Sequence, residues 1–268
     1  FLPAGTSAFV VVLLTVLASI LLGMIYSLLL AVAAINFKAD QTLVGTAMNL
    51  LGTAAATVFV KAMNTAADPD NVSSTIQYLD GRKAFLVNIG GFEFNWFMLI
   101  AFIAIIFAWV TLYKTRFGLR LRACGENPQA ADSLGINVYK MRYAGTTISG
   151  ALAGMGGFVY ALTTANCASN GDVAGFGFLA LAVMIFGNWK PLNIAGASLL
   201  FGLFKCIAAA YTSLDINGDG VYLLAQIGIS AHFYQMLPYL ITIIVLAFTS
   251  KSSRAPKAEG IPYDKGQR

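Results

Sequence analysis

FLPAGTSAFVVVLLTVLASILLGMIYSLLLAVAAINF, residues 1–37, holds no Asp, Glu, Lys, Arg or His. A helix crosses the ~30 Å hydrocarbon core of a bilayer with ~20 residues at 1.5 Å each, so the run is long enough to span. It is too long for a signal peptide, whose apolar region is about 7–15 residues. The rest of the chain agrees. Of 268 residues, 58% are apolar and 11% charged, where soluble domains run at about 45–50% and 25%. Such a chain cannot clothe a water-exposed surface, and its class is all-α polytopic membrane protein. Cys124, Cys167 and Cys206 lie far apart, one in a basic loop and one inside an apolar segment, so no disulfide framework follows.

Seven apolar segments can be read outward from that opening: Ala8–Ile35, Gln41–Val60, Phe94–Tyr113, Tyr143–Ala165, Val173–Gly187, Ile194–Tyr211 and Phe233–Thr249. The fifth is the weakest, at about 22 Å of helix, and is either extended by the small residues before it or broken. Cytoplasmic loops collect Lys and Arg. With the first segment running inward, all 17 basic residues except Lys61, Arg82, Lys83 and Lys205 fall inside, while Asp68, Asp70, Asp80, Glu93, Asp172, Asp215 and Asp219 fall outside. A re-entrant fifth segment would turn the basic tail outward, so it is read as a crossing. The C-terminus is then cytoplasmic. The net charge of +5 is a matter of orientation and calls for no nucleic-acid partner. Residues 1–250 read as a transmembrane domain into which a cytoplasmic segment, 114–142, is inserted. Residues 251–268, polar and with Pro256 and Pro262, read as an extended or disordered cytoplasmic tail.

The inserted segment, YKTRFGLRLRACGENPQAADSLGINVYKMR (Tyr113–Arg142), is far longer than a simple connection needs. Asn127 followed by Pro128 is an N-cap with proline at the first helical position, and Gly135 is a stop. A short helix over Pro128–Leu134 at the membrane face suits docking into a groove on another protein. A solvated basic loop anchoring the membrane face is the other reading.

RFGLRLRACGENPQAADSLGINV resembles the cytoplasmic signature of the permease subunits of ABC importers for branched-chain amino acids and simple sugars, in particular their nucleoside-type branch. SGALAGMGG (Ser149–Gly157), GFGFLALAVMIFGNWKPL (Gly175–Leu192), QMLPYLITI (Gln235–Ile243), SRAPKAEGIPYDKG (Ser253–Gly266) and FKADQTLVGTAMNLL (Phe37–Leu51) are similar to the same branch, in the same order. The resemblance covers nearly the whole chain after about residue 20. It departs at the beginning, where the family has further membrane segments, so N-terminal helices are expected to precede this chain. The resemblance implies that Gly125, Glu126, Asn127, Pro128, Gln129, Ala130, Ala131, Gly135 and Ile136 couple the helices to an ATPase. In the family's Glu-Ala-Ala-x3-Gly motif this chain has Gln129, Ala130, Ala131 and Gly135. Position 129 therefore lacks a carboxylate, with Glu126 one turn away. Two alanines would let helix and groove approach closely.

No Gly-x4-Gly-Lys-[Ser/Thr] string exists to cradle phosphates. The chain is thus read as no enzyme, without cofactor of its own, with Mg-ATP on a partner. The resemblance implies that partner to be an ATPase with two nucleotide-binding halves. It also implies a second related permease forming a heterodimer, and an extracytoplasmic binding protein or lipoprotein. All would sit at a bacterial cytoplasmic (inner) membrane, in contact with its lipid.

In the second segment Thr42, Thr46, Asn49, Thr53 and Thr57 recur at helical spacing on one face, with Gly45 and Gly52 beside them. Such a face offers weak hydrogen bonds to a passing polar solute, or serves helix packing. Lys205 is the one ionisable residue well inside a segment. It contacts solute or shapes the outer vestibule, or else snorkels to the interface. Weaker polar rows are Ser198, Lys205, Thr212 and Gln235, Thr242, Thr249. Gly150, Gly154 and Gly157 read as a close-packing stripe. DINGDG (Asp215–Gly220) fits half a calcium loop, but its twelfth position is Gln226 where a bidentate Glu is needed, so it reads as a turn. His232 stands without a ligand cluster and Trp96, Trp109 and Trp189 lie at segment ends.

The expected function is a permease moving a small polar solute inward: a nucleoside by resemblance, with simple sugars and branched-chain amino acids as alternatives. A secondary transporter acting alone is the rival from another class. It would need carboxylates in its spans, and none of the seven segments has an Asp or Glu. A membrane scaffold that transports nothing would have no use for the polar stripe.

Overall fold

The computed structural model describes residues 7–74, 76–77, 86–89, 92–163, 168–169, 173, 175–210, 231–249 and 255–266. The chain forms two units, Phe1–Ala174 with Pro256–Arg268, and Gly175–Ala255.

In the first unit, α1 (Ala8–Ala31) continues into a π-helical turn, Val32–Asn36, and α2 (Gln41–Ala67) follows. Asp40 starts α2 by accepting the Thr42 and Leu43 amides at 2.8 and 3.0 Å, which satisfies two of its orphan donors. α3 (Trp96–Lys114) is capped in the same way by Asn95, which accepts from the Phe97 amide at 2.9 Å. Short strands lie between these helices. β2 (Leu86–Ile89) and β3 (Phe92–Asn95) form an antiparallel hairpin in which Leu86 faces Asn95, while β1 (Ile76–Gln77) pairs with β4 (Ala168–Ser169). The inserted segment supplies α4 (Arg116–Glu126) and α5 (Pro128–Ser133), then leads into α6 (Val138–Thr163).

The seam between α1 and α6 is built on absent side chains. A Cβ on Gly150 or Gly154 would collide with Ser27, Ser19 and the Gly23 backbone, and one on Gly23 would come 2.9 Å from the Gly154 Cα. Backbones approach this closely only where small residues face each other. Gly157, read as part of the same stripe, meets nothing within 4 Å. Around that level Phe158, Val159 and Leu162 pack against Val12 and Phe97, and these larger side chains hold the helices apart.

In the second unit, α7 (Phe176–Phe186), α8 (Pro191–Ala210) and α9 (Ala231–Thr249) pack around Val183, Ala197 and Phe201, with Ile241 against them. Phe186 and Phe201 meet edge-on at 6.2 Å. The corner after α7 is tight: a side chain at Gly187 would strike Ile194, and Asn188 and Trp189 take φ of 53° and 55°. A left-handed conformation is uncommon for a residue as bulky as Trp189.

Each of the seven apolar segments therefore contains a helix among the described residues. Among the described residues four helices, Phe9–Asn36, Gln41–Ala67, Trp96–Lys114 and Pro191–Ala208, are long and apolar enough to cross a membrane by length and composition. α7 has 11 residues, about 16 Å, which is half a hydrocarbon core and shorter than the segment read from the sequence. α4 and the early start of α6 lie where a loop was expected. The tail also differs from expectation. Residues 255–266 carry no helix or strand, yet they are docked on the inserted segment, and Tyr263 is 5% exposed.

Candidate functional site

The inserted segment is a series of capped turns. Thr115 accepts from the Gly118 amide at 3.1 Å, and a Cβ at Gly118 would run into the Leu112 backbone, so the chain can fold sharply from α3 into α4 only with glycine there. Asn127 caps α5 by accepting from Ala130 at 3.0 Å, with Pro128 in the first turn, as the sequence predicted. At the other end the Gly135 amide donates to Asp132 and the Ile136 amide to Ala131, at 2.9 and 3.0 Å, with Gly135 at φ 80°. This is a Schellman stop, which needs a left-handed residue at that position. Asn137 then caps α6 through the Lys140 amide at 3.0 Å.

Of the nine residues assigned to coupling, Glu126, Asn127, Gln129, Ala130 and Gly135 are exposed, and Gly125, Pro128 and Ile136 are half-buried. Ala131 is not on that face. At 2% exposure it packs inward with Cys124, Val138 and Tyr263. Of the two alanines only Ala130 is thus exposed, while the second lets α5 lie close on its own neighbours. Leu134, at 82% exposure, is an apolar knob beside it. Burial pushes the Cys124 thiol above its ordinary pKa, with Arg142 pulling the other way, and desolvation also lowers the Arg142 guanidinium below its usual value.

The polar stripe of α2 is open on its outer side. Thr42, Thr46, Asn49 and Thr53 are exposed and Thr57 half-buried. The hydroxyls of Thr46, Thr53 and Thr57 donate to the carbonyls of Thr42, Asn49 and Thr53 at 2.8–3.2 Å. They are satisfied within the helix, so no helix of this unit is needed to cover them. Asn49 and Thr53, with Gly45, Met48 and Gly52, line a cavity of about 460 Å³ whose far wall is Tyr26 and Leu30 of α1. Thr42, Thr46 and Thr57 lie outside it. The Tyr26 hydroxyl donates to the Met48 carbonyl at 2.5 Å, and a Cβ at Gly52 would stand 3.3 Å from that hydroxyl. Tyr26, Leu30 and Met48 also wall a second cavity of about 400 Å³ that reaches Ser27, Thr146 and Ser149. Packing is therefore continuous from Ala131 and Val138 on α5 and α6, through the glycine seam to α1, and through Tyr26 to α2.

Within the second unit, the Lys205 ammonium lies 4.4 Å from the Phe176 ring centre and 5.7 Å from that of Tyr239. It is half-buried and held by cation–π attraction on two other helices of the unit. Ser198, one heptad back, donates to the Ile194 and Ala195 carbonyls at 2.9 Å. Thr212, the Asp215–Gly220 stretch, Cys167 and the side chains of Gln235, Thr242 and Thr249 lie outside the described residues. Among the described residues no three His, Cys, Asp or Glu side chains gather as a metal site requires.

The family described as branched-chain amino acid transport system, permease component, matches residues 2–246. The chain belongs to that family. It is 44% identical over 260 residues to the nucleoside ABC transporter permease protein NupC of Lactococcus lactis subsp. cremoris (strain MG1363), covering 95% of this chain and 78% of NupC. Similarity to the guanosine ABC transporter permease protein NupQ of Bacillus subtilis (strain 168) is 39% over 261 residues, with the same coverage. A nucleoside ABC transporter permease protein NupB, also of L. lactis, is 27% identical over 198 residues, 71% of this chain and 54% of NupB. No solved structure matches.

Sequence reasoning missed two residues of this permease. Leu134 was read only as the last residue of the short helix, though it is an exposed apolar side chain at the end of an otherwise polar turn. Tyr26 is the one aromatic hydroxyl in the apolar run of α1, and that hydroxyl was the available signal.

Proposed function

We propose that this chain is the membrane-spanning subunit of an ABC importer that brings nucleosides into the cytoplasm. The observation that carries the substrate is kinship with the nucleoside and guanosine permeases. Kinship and the absence of a P-loop together support hydrolysis of Mg-ATP on a separate subunit with two nucleotide-binding halves. A second, related permease and an extracytoplasmic binding protein complete the assembly, in a bacterial inner membrane.

The segment 114–142 and the tail share one side of the membrane, because Tyr263 packs against Ala131 and Asp264 against Lys38. Among the described residues four apolar helices, α6 to α9, separate the two, and an even number of crossings returns a chain to its starting side. This parity supports α7 as half of a broken crossing, and with it the seven-span topology. Its exposed ends would then be satisfied by protein or water, as lipid cannot do so. The basic loops make that shared side cytoplasmic.

Coupling runs through α5. Glu126, Gln129, Ala130 and Leu134 face the ATPase, and movement of α5 passes along Val138, the glycine seam and Tyr26 to the α2 cavity. Asn49 and Thr53, with the wider stripe of Thr42, Thr46 and Thr57, offer replaceable hydrogen bonds to the solute's ribose and base. Lys205 adds a polar point in the second unit.

The test is uptake into vesicles holding this chain with the ATPase and partner permease, supplied with the binding protein. Vanadate-sensitive accumulation of guanosine, competed by other nucleosides and not by ribose or leucine, is the expected result. Uphill uptake by this chain alone overturns the proposal, and competition by ribose or leucine overturns the substrate.

A further inference from the structure

Residues 255–266 follow the last apolar helix, and nothing in the transport reading gives them a task. They are nevertheless fixed at four points. The Ala258 amide donates to the Gly125 carbonyl at 2.9 Å. Arg142 at the start of α6 donates through Nη1 to the Ile261 carbonyl at 3.0 Å. Tyr263 closes the small interior formed by Cys124, Ala131 and Val138, its ring edge-on to Tyr139 at 5.3 Å. Lys38, just beyond α1, meets Asp264 at 2.8 Å. Two pieces of chain that are remote in sequence, the stretch from Cys124 to Arg142 and Lys38, are thus joined by one peptide.

The join matters because α5 is six residues long. Isolated helices below about 12–15 residues are marginal in water, so its shape and direction must come from what covers it. The side chain it turns inward is Ala131, and Tyr263 is among the residues that bury it. A docking helix that could tilt freely would absorb a push instead of passing it on.

We infer that residues 255–266 are a strap that positions α5 for the ATPase, anchored by Tyr263. Tyr263 is a positioning residue: it acts through Ala131 and touches neither solute nor nucleotide. The inference rests on the importer reading above for what α5 does, but the strap's docking can be tested without it.

Cys124 is the reporter, since it lies at 3% exposure in the interior that Tyr263 closes. In the assembled transporter, with Cys167→Ala and Cys206→Ala leaving a single thiol, maleimide labelling from the cytoplasmic side is compared in four chains. These are the parent, a chain ending at Arg254, Tyr263→Ala and Tyr263→Phe. Labelling should rise about tenfold or more in the second and third, because the local opening that limits it is removed. Tyr263→Phe keeps the ring and should stay near the parent. In the same complexes, solute taken up per ATP hydrolysed should fall severalfold in the order of the labelling, which mere loss of folded protein would not produce. Unchanged labelling in both Tyr263→Ala and the shortened chain overturns the strap. Faster labelling with unchanged uptake per ATP overturns its coupling role. If the shortened chain does not accumulate, the Tyr263→Ala and Tyr263→Phe pair, measured per complex, decides. Absence of ATP-driven uptake by the parent would instead count against the importer reading and leave the labelling result standing.

Discussion

Around Tyr263 the chain hides Cys124, Ala131 and Val138 at 1–3% exposure, whereas along α2 only Val60 is buried and Leu43 lies 73% open. Both regions belong to the first unit, and they differ in solvent. In water, apolar surface drives burial, so even a twelve-residue strap gathers an interior. In lipid there is no such drive, and helices associate through close backbone approach and hydrogen bonds. Exposure of leucine on α2 is therefore no defect, and an exposed threonine stripe is the informative feature. α6 belongs to both regions, since its first residue is buried under Tyr263 and its glycines press against α1.

The largest effect is expected where the lipid-side rule is broken. Gly154→Leu forces a side chain against the Ser19 and Gly23 backbone, which cannot move aside as a flexible side chain could. Overpacking costs about 1–3 kcal/mol, and more where backbone must shift. Folded permease recovered from membranes should drop sharply. Gly157→Ala meets open space and should be recovered at parental amounts. Equal loss in both would mean that the seam is not what holds α1 to α6.

Asn49→Leu tests the other side of the comparison. It removes a polar group from the α2 cavity without filling the α1–α6 seam, so recovery should be normal. Uptake should fall about fivefold, the value of one hydrogen bond of about 1 kcal/mol. Parental uptake would remove α2 from the path.

These contrasts bear on what could be read in advance. The helices of the seven apolar segments were legible because lipid asks for long apolar runs, and the four that reach a bilayer's length, Phe9–Asn36, Gln41–Ala67, Trp96–Lys114 and Pro191–Ala208 among the described residues, lie in segments read as such. The short helix α5 was legible because Asn127, Pro128 and Gly135 are local signals that act within a few residues. α4 was not: its apolar positions, Phe117, Leu121 and Cys124, are spaced for a helix but lie among arginines and read as basic loop. The strap was not legible at all, because Tyr263 is one aromatic among prolines, glycines and charges, and its partners lie more than a hundred residues away. Of the polar stripe on α2, the pattern could be read but not which members meet a cavity, since of its five residues only Asn49 and Thr53 line one.

Lys205 should give a smaller effect than Asn49. Its ammonium spans the Phe176 and Tyr239 rings, and cation–π contacts contribute about 0.5–2 kcal/mol. Lys205→Met should lower uptake about threefold at normal recovery, while Lys205→Arg, which can also lie over the rings, should keep it. Full uptake by Lys205→Met would show that the charge serves packing alone.

The smallest effect belongs to the pair at the strap's end. The hydrogen bond from Lys38, with that from the Gly266 amide and Lys38's charge, holds the Asp264 carboxyl below the usual aspartate range. A carboxyl depressed on folding contributes its stability above the ordinary aspartate pKa and loses it only as pH falls through the lowered value. Between neutral pH and mild acid the contribution is therefore constant, and strap docking read by limited proteolysis should not change there. Both side chains remain partly open to water, so the pair is screened and weak. Asp264→Asn should raise Cys124 labelling by less than about twofold, and added salt should erase the difference from the parent. The ring of Tyr263 should matter far more than this ion pair, since burial rather than charge closes the interior on the water side. A tenfold rise from Asp264→Asn would reverse that ranking and make the Lys38 contact the true anchor of the strap.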